Sequence, residues 1–222
     1  MKKYSTVIFD LDGTLLNTIE DLTNALNHTL QEFDMPTRTL PEVQSFVGNG
    51  LRLLLIRAIP QGEDNPQFEE VFAAFKTYYT DHCKEATAPY PGIMELLKTL
   101  QEHEIPMAIV SNKNDAAVKR LAADFFEGII SVAIGERTGV RKKPAPDTVF
   151  TALEELGESA DSAVYVGDSE VDLQTAANSG MDCISVAWGF KGRAFLEKEG
   201  ASHIVDTPEE ILGFLLSLIH IS

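Results

Sequence analysis

The stretch Val7-Ile8-Phe9-Asp10-Leu11-Asp12-Gly13-Thr14 decides the fold. Three consecutive apolar residues stop at an acid, and a second acid follows one residue later. A short run that is apolar on successive residues predicts a strand covered on both faces, as in a parallel sheet. Two carboxylates at the mouth of such a strand are costly to bury unless something there compensates them. Their meaning therefore depends on what the rest of the chain brings to the same edge.

Runs of the same kind recur at residues 105–110, 129–134, 163–166 and 183–187. Helical stripes separate the later ones: Ile93, Leu96, Leu97 and Leu100; Val118, Leu121 and Ala122; Val149, Leu153 and Leu156. Alternating strands and helices predict an α/β fold with a doubly wound parallel sheet, whose ligand lies beyond the carboxyl ends of the strands. Residues 17–85 break the alternation. Apolar residues recur there at helical spacing (Ile19, Leu22, Leu26, Leu30, Phe33; Leu51, Leu54, Leu55, Ala58; Phe68, Val71, Phe72, Phe75) with turn signals between them. Several helices without a strand are too many for one crossover, so a small helical bundle inserted as a cap is expected at 17–85, with the core formed by 1–16 and 86–222.

Composition narrows the function classes. The chain has 222 residues, 44% hydrophobic and 23% charged, with 34 acidic against 18 basic residues and a formal net charge of −16. Such a balance argues against nucleic acid or an anionic membrane as a partner, since either attracts a basic face. The two cysteines, Cys83 and Cys183, have no metal or redox spacing, and neither a signal peptide nor a spanning segment is legible. A cytoplasmic protein, monomer or homodimer, is expected.

Each strand is followed by chemistry. After the first come Asp10, Asp12 and Thr14; after the second, Ser111-Asn112-Lys113; after the third and a loop, Arg141-Lys142-Lys143-Pro144-Ala145-Pro146; after the fourth, Gly167-Asp168-Ser169-Glu170-Val171-Asp172. In a parallel sheet these clusters share one edge. Carboxylates, a hydroxyl, exposed amides and a lysine are the parts of a metal-assisted phosphoryl-transfer site, and Mg²⁺ suits a few carboxylates plus phosphate oxygens. Taken singly, several readings stay open. Ser111-Asn112 can cap the helix before Asp115, Asp172 can be a first-turn helix acid, Arg141 or Lys142 can be the relevant base, and Arg52 can be a solvated helix residue.

The ordered set D-x-D-G-T, S-N, K-P-x-P and G-D-S-x-x-D resembles the haloacid dehalogenase-like hydrolase superfamily over nearly the whole chain. The insert after the first motif, the Phe46-Val47-Gly48-Asn49-Gly50-Leu51-Arg52 stretch and Pro89-Tyr90-Pro91-Gly92 are similar to the helical-cap, phosphoglycolate phosphatase-like members. The resemblance implies a phosphomonoester hydrolase acting on a small phosphorylated metabolite such as 2-phosphoglycolate. It assigns Asp10 as nucleophile and Asp12 as acid and base. It assigns Thr14, Ser111, Asn112 and Lys143 to the phosphoryl oxygens, and Asp10, the Asp12 carbonyl and Asp168 to Mg²⁺, with Asp172 part of the metal site through a metal-bound water. Gly50 and Arg52 are the candidates for a second anion on the leaving group. A β-phosphoglucomutase-like mutase or a pyrophosphatase of the same superfamily, or a phosphoryl-binding regulatory domain, would share much of this pattern. Residues 217–222 fit no feature of the family, and an appended tail is one reading of them.

Overall fold

The computed structural model describes residues 4–48 and 50–216; Asn49 and the 217–222 segment lie outside them. The first strand, β1 (Thr6–Phe9), is followed by β2 (Leu16–Asn17) and four helices, α1 (Ile19–Glu32), α2 (Leu40–Phe46), α3 (Leu51–Ala58) and α4 (Phe68–His82). The chain continues through β3 (Ala88–Pro89), α5 (Ile93–Glu102), β4 (Met107–Asn114), α6 (Asp115–Phe126), β5 (Val132–Glu136) and α7 (Asp147–Leu156). It ends with β6 (Ala163–Gly167), α8 (Glu170–Asn178), β7 (Asp182–Val186), α9 (Arg193–Lys198), β8 (Ile204–Val205) and α10 (Pro208–Leu216).

Two compact units result, one of residues up to Leu16 and from Pro89 onward, the other Asn17–Ala88. The first holds a six-stranded sheet of order β5-β4-β1-β6-β7-β8, every pairing parallel. Alternation along β1 sends Val7 and Phe9 to one face, where α5, α6 and α10 bury Leu97, Leu121 and Ile211 against them. Ile8 faces the other way, into a cluster with Val149 and Leu153 of α7 and Ala176 of α8. Helices on both faces explain why the strands read as continuous apolar runs.

Two strands start later than their apolar runs. Pro106 has no N–H, so β4 begins at Met107, although the Pro106 carbonyl still accepts from Val7 N–H at 3.0 Å. The amides of Ile129 and Ile130 close the end of α6 on the Phe126 carbonyl, and β5 begins only at Val132. In the other direction β4 runs on to Asn114, so Ser111-Asn112-Lys113 lies within the strand, in a section where the register with β5 shifts between Val110 and Asn114. The cap of α6 is Asn114, whose side chain accepts from Ala116 N–H.

In the helical unit α1 packs on α4 and α2, and α2 packs on α3. The unit extends past residue 85 because buried Asp21 of α1 accepts hydrogen bonds from Ala86 and Thr87 N–H, both at 2.8 Å. No helix among the described residues is long and apolar enough to cross a membrane.

Candidate active site

The open end of β1 lies between those of β4 and β6, its two neighbours in the sheet. Asp10 follows β1 directly, and its N–H donates to Val166 of β6 at 2.8 Å, which extends the ladder by one residue and fixes the carboxylate's origin. Gly13 has φ +91°, and a Cβ there would lie 2.5 Å from Asp168 Oδ2. Only glycine allows both the turn and that approach. The same crowding recurs at Gly189, where a Cβ would lie 2.5 Å from Asp168 Oδ2 and from the Gly13 carbonyl.

Lys143 organises the pocket. Its Nζ donates to Asp10 Oδ1 at 2.7 Å, to Asp172 Oδ1 at 2.8 Å and to the Tyr165 hydroxyl at 2.9 Å. The two neighbouring bases point elsewhere: Arg141 pairs with Asp147, and Lys142 stands 4.0 Å from Glu136. Asp172 is bonded at both oxygens, since Oδ2 accepts from Asp168 N–H, Ser169 N–H and the Ser169 hydroxyl. It is thus both the third residue of α8, closing a capping box with Ser169, and a member of the pocket. Asp168 Oδ2 accepts from Phe190 N–H at 2.7 Å.

Burial sets the electrostatics. It pushes the Asp10 carboxyl up to about 7, with the Lys143 ammonium pulling the other way and Asp172 adding to the rise. Burial likewise pushes Asp168 well above the usual carboxylate range, and Asp172 and Asp10 add to it. Burial opposes the charge of Lys143, but Asp10 and Asp172 outweigh it and hold the ammonium well above lysine's ordinary value. The pocket therefore holds more carboxylate than its cation neutralises. Oxygens of Asp10, Asp168 and Asp172 come within 4.8 Å of one another. An all-oxygen, acidic donor set without sulfur or imidazole fits a hard divalent cation.

The remaining predicted residues stand as follows. Asp12 pairs with Lys113, Nζ to Oδ1 at 2.9 Å. Ser111 Oγ accepts from Lys113 N–H, and the Asn112 amide group donates to the Lys143 carbonyl at 3.0 Å. The Thr14 carbonyl accepts from Trp188, while Thr14 Oγ1 and Asn112 Oδ1 are buried with no hydrogen-bond partner among the described residues. Five other buried side-chain oxygens share this lack of a hydrogen-bond partner, on Thr6, Asp147, Thr148, Glu170 and Ser185. Gly50 and Arg52 belong to the helical unit. Gly50, φ +92°, precedes α3; Arg52 pairs there with Glu63 and Glu69, both at 2.6 Å, and lies over the Phe68 ring.

Three contributors have no role in the sequence reading, although Lys113 stands in one of its strand-end clusters. Lys113 stands two residues after Ser111, hence on the same side of an extended chain. Tyr165 is the one polar-tipped residue in the apolar run 163–166. The Phe190 amide leaves no side-chain signal at all.

A family model described as haloacid dehalogenase-like hydrolase matches residues 7–186. The chain is 34% identical to a phosphoglycolate phosphatase of Pseudomonas syringae pv. tomato, over 94% of this chain and 79% of that one. It is 32% identical to another from Neisseria meningitidis, over 94% and 89%. A crystal structure from Lactobacillus delbrueckii subsp. bulgaricus, provisionally described as a phosphoglycolate phosphatase, superposes with a TM-score of 0.91 at 39% identity, covering 96% of this chain and 98% of that one. With the model spanning most of the chain and such relatives along nearly all of it, the protein belongs to the haloacid dehalogenase-like hydrolases and is a phosphatase of that family.

Proposed function

We propose that the protein hydrolyses small phosphomonoesters through a phosphorylated Asp10, in the presence of Mg²⁺ that the Asp10 and Asp168 carboxylates and the Asp12 carbonyl would hold, with Asp172 supporting the site through water. The observation that carries the reading is the buried meeting of Asp10, Lys143 and Asp172 at the end of the central strand, beside Asp168. When bound, the divalent cation supplies positive charge that keeps these carboxylates ionised and draws charge from phosphoryl oxygens.

In the first step a carboxylate oxygen of Asp10 attacks phosphorus, and the bond to the leaving oxygen breaks. That oxygen keeps the electron pair and takes a proton from Asp12. In the second step Asp12 takes a proton from water, whose oxygen attacks the phosphorus. The aspartyl–phosphorus bond opens, returning the Asp10 carboxylate and inorganic phosphate. Lys143, Ser111, Thr14 and the backbone amides around Asn112 neutralise and orient the phosphoryl oxygens, which is where such sites gain most of their rate.

For the substrate, 2-phosphoglycolate is the first candidate, on the strength of the relatives' activity. Gly50 and Arg52 are the proposed receivers of its carboxylate; Arg52 would exchange Glu63 and Glu69 for it. Phosphate release from a panel of small phosphomonoesters, with and without Mg²⁺ and with no sugar bisphosphate added, tests the reading. A requirement for a bisphosphate activator would place the chain with the mutases instead.

A further inference from the structure

The ion pair between Lys113 and Asp12 joins residues 101 positions apart, at 2.9 Å, with side chains 7% and 22% exposed. The lysine comes from the part of β4 where the register with β5 slips, and such an irregularity re-aims side chains at the end of a strand. Its backbone is fixed on two sides. The Lys113 N–H donates to Ser111 Oγ at 3.2 Å. Across the strand, a Cβ on Gly135 of β5 would lie 2.5 Å from the Lys113 carbonyl, so the two backbones close together there. The ammonium is therefore delivered from a rigid strand, not from a swinging surface chain.

Asp12 follows β1 outside the strand, and its carboxyl oxygen Oδ1 is held by the Lys113 ammonium. A proton donor acts only when its oxygen stands at hydrogen-bond distance from the leaving atom, and small misplacements are expensive in rate. We propose that Lys113 is a positioning residue, which holds the Asp12 carboxyl where it meets first the leaving oxygen and then the attacking water, without touching either. This rests on the acid–base role of Asp12 proposed above.

The test separates the inference from that reading by leaving-group dependence. Phenyl and p-nitrophenyl phosphate have nearly the same shape. Phenolate is as basic as a tyrosine side chain, about 10, and needs a proton to leave well, whereas nitrophenolate leaves as a stable anion. Lys113→Met, Asp12→Asn and the double variant are assayed for kcat/KM on both esters at saturating Mg²⁺, because kcat/KM reports the step in which each ester's own leaving group departs and not the later hydrolysis common to both. Lys113→Met should lose about tenfold more on phenyl phosphate than on p-nitrophenyl phosphate, in the same sense as Asp12→Asn. Adding Lys113→Met to Asp12→Asn should cost nothing further on phenyl phosphate, because a residue acting only through Asp12 has nothing left to position. The double variant removes both charges, so the comparison survives if Lys113→Met alone does not fold. Equal losses on the two esters in Lys113→Met, or a full further loss in the double variant, overturn the positioning role. An Asp12→Asn enzyme that treats both esters alike overturns the acid–base reading itself, and the inference with it.

Discussion

Lys143 and Asp10 meet at 2.7 Å although 133 residues separate them in the chain. The lysine also holds Asp172, and it is 4% exposed. Removing the ammonium leaves the buried Asp10 and Asp172 carboxylates without the cation they share. Lys143→Met should therefore lower stability by about 3–5 kcal/mol and turnover by about a hundred- to a thousandfold. Lys142→Met, on the exposed neighbour, is the control and should match the parent protein in both melting temperature and phosphate release.

The two acids of the opening motif separate by chemistry. Asp10→Asn should still bind substrate and show no measurable turnover, since an amide does not attack phosphorus. Beryllium fluoride, which mimics an acyl phosphate on a carboxylate, should bind the parent protein and not this variant. Normal hydrolysis by Asp10→Asn would remove the covalent mechanism.

The proposed metal site links metal and pH through the same carboxylates. Chelation should abolish activity and Mg²⁺ restore it, while Ca²⁺, with its larger and looser shell, should inhibit. In the chelated protein, burial raises Asp10 to about 7. A carboxyl whose folded pKa lies above its unfolded value near 4 adds stability that is complete at acid pH and is lost as pH rises through the folded value. The melting temperature in EDTA should therefore fall between about pH 4 and about pH 7, and saturating Mg²⁺ should flatten the curve, because cation and protons compete for the same oxygens. Parallel curves with and without Mg²⁺ would contradict this metal site.

Gly13 tests the crowding around Asp168. Gly13→Ala puts a methyl 2.5 Å from Asp168 Oδ2 on a backbone at φ +91°. A destabilisation on the order of 1–3 kcal/mol is expected, with weaker Mg²⁺ binding seen by calorimetry. Gly157→Ala has nothing within 4 Å of its added methyl, so it should show only the backbone effect and leave Mg²⁺ binding intact.

In the helical unit, Gly50→Val and Arg52→Ala should raise KM for 2-phosphoglycolate far more than for p-nitrophenyl phosphate, which lacks a carboxylate. Equal effects on both would leave the phosphatase standing and remove these residues from substrate recognition.

Much of the core was legible because its strands are buried on both sides and end in polar punctuation. The run 7–9 announces β1, and the acids after it announce the edge. The family resemblance of the four motifs pointed to Asp168, Asp172 and Lys143, which the sheet order brings to one place, while the residues alone left Arg141 and Lys142 open. Shorter or more polar elements were not legible: β8 is two residues long, and α2 shows one buried position, Val43, in place of a stripe. Taken alone, Ser111-Asn112 also allowed a helix cap, because nothing in the sequence tells an irregular strand end from a turn. The partner of Lys113 and the place of the Phe190 amide come from tertiary packing: Asp12 lies 101 residues before the lysine, and an amide carries no side-chain signal.

The position of β1 between β4 and β6 has a consequence for synthesis. The strand bearing Asp10 leaves the ribosome first, yet neither neighbour exists until Asn114 and Gly167 have been made. Through that interval the nascent chain carries an apolar segment with both edges open, a template for unwanted pairing. The intervening Asn17–Ala88 unit is contiguous in sequence, so all of its own residues are translated before either neighbour of β1. Closure of the sheet, and with it assembly of the Asp10 pocket, then comes late, when β6 slides in beside a strand translated about 150 residues earlier.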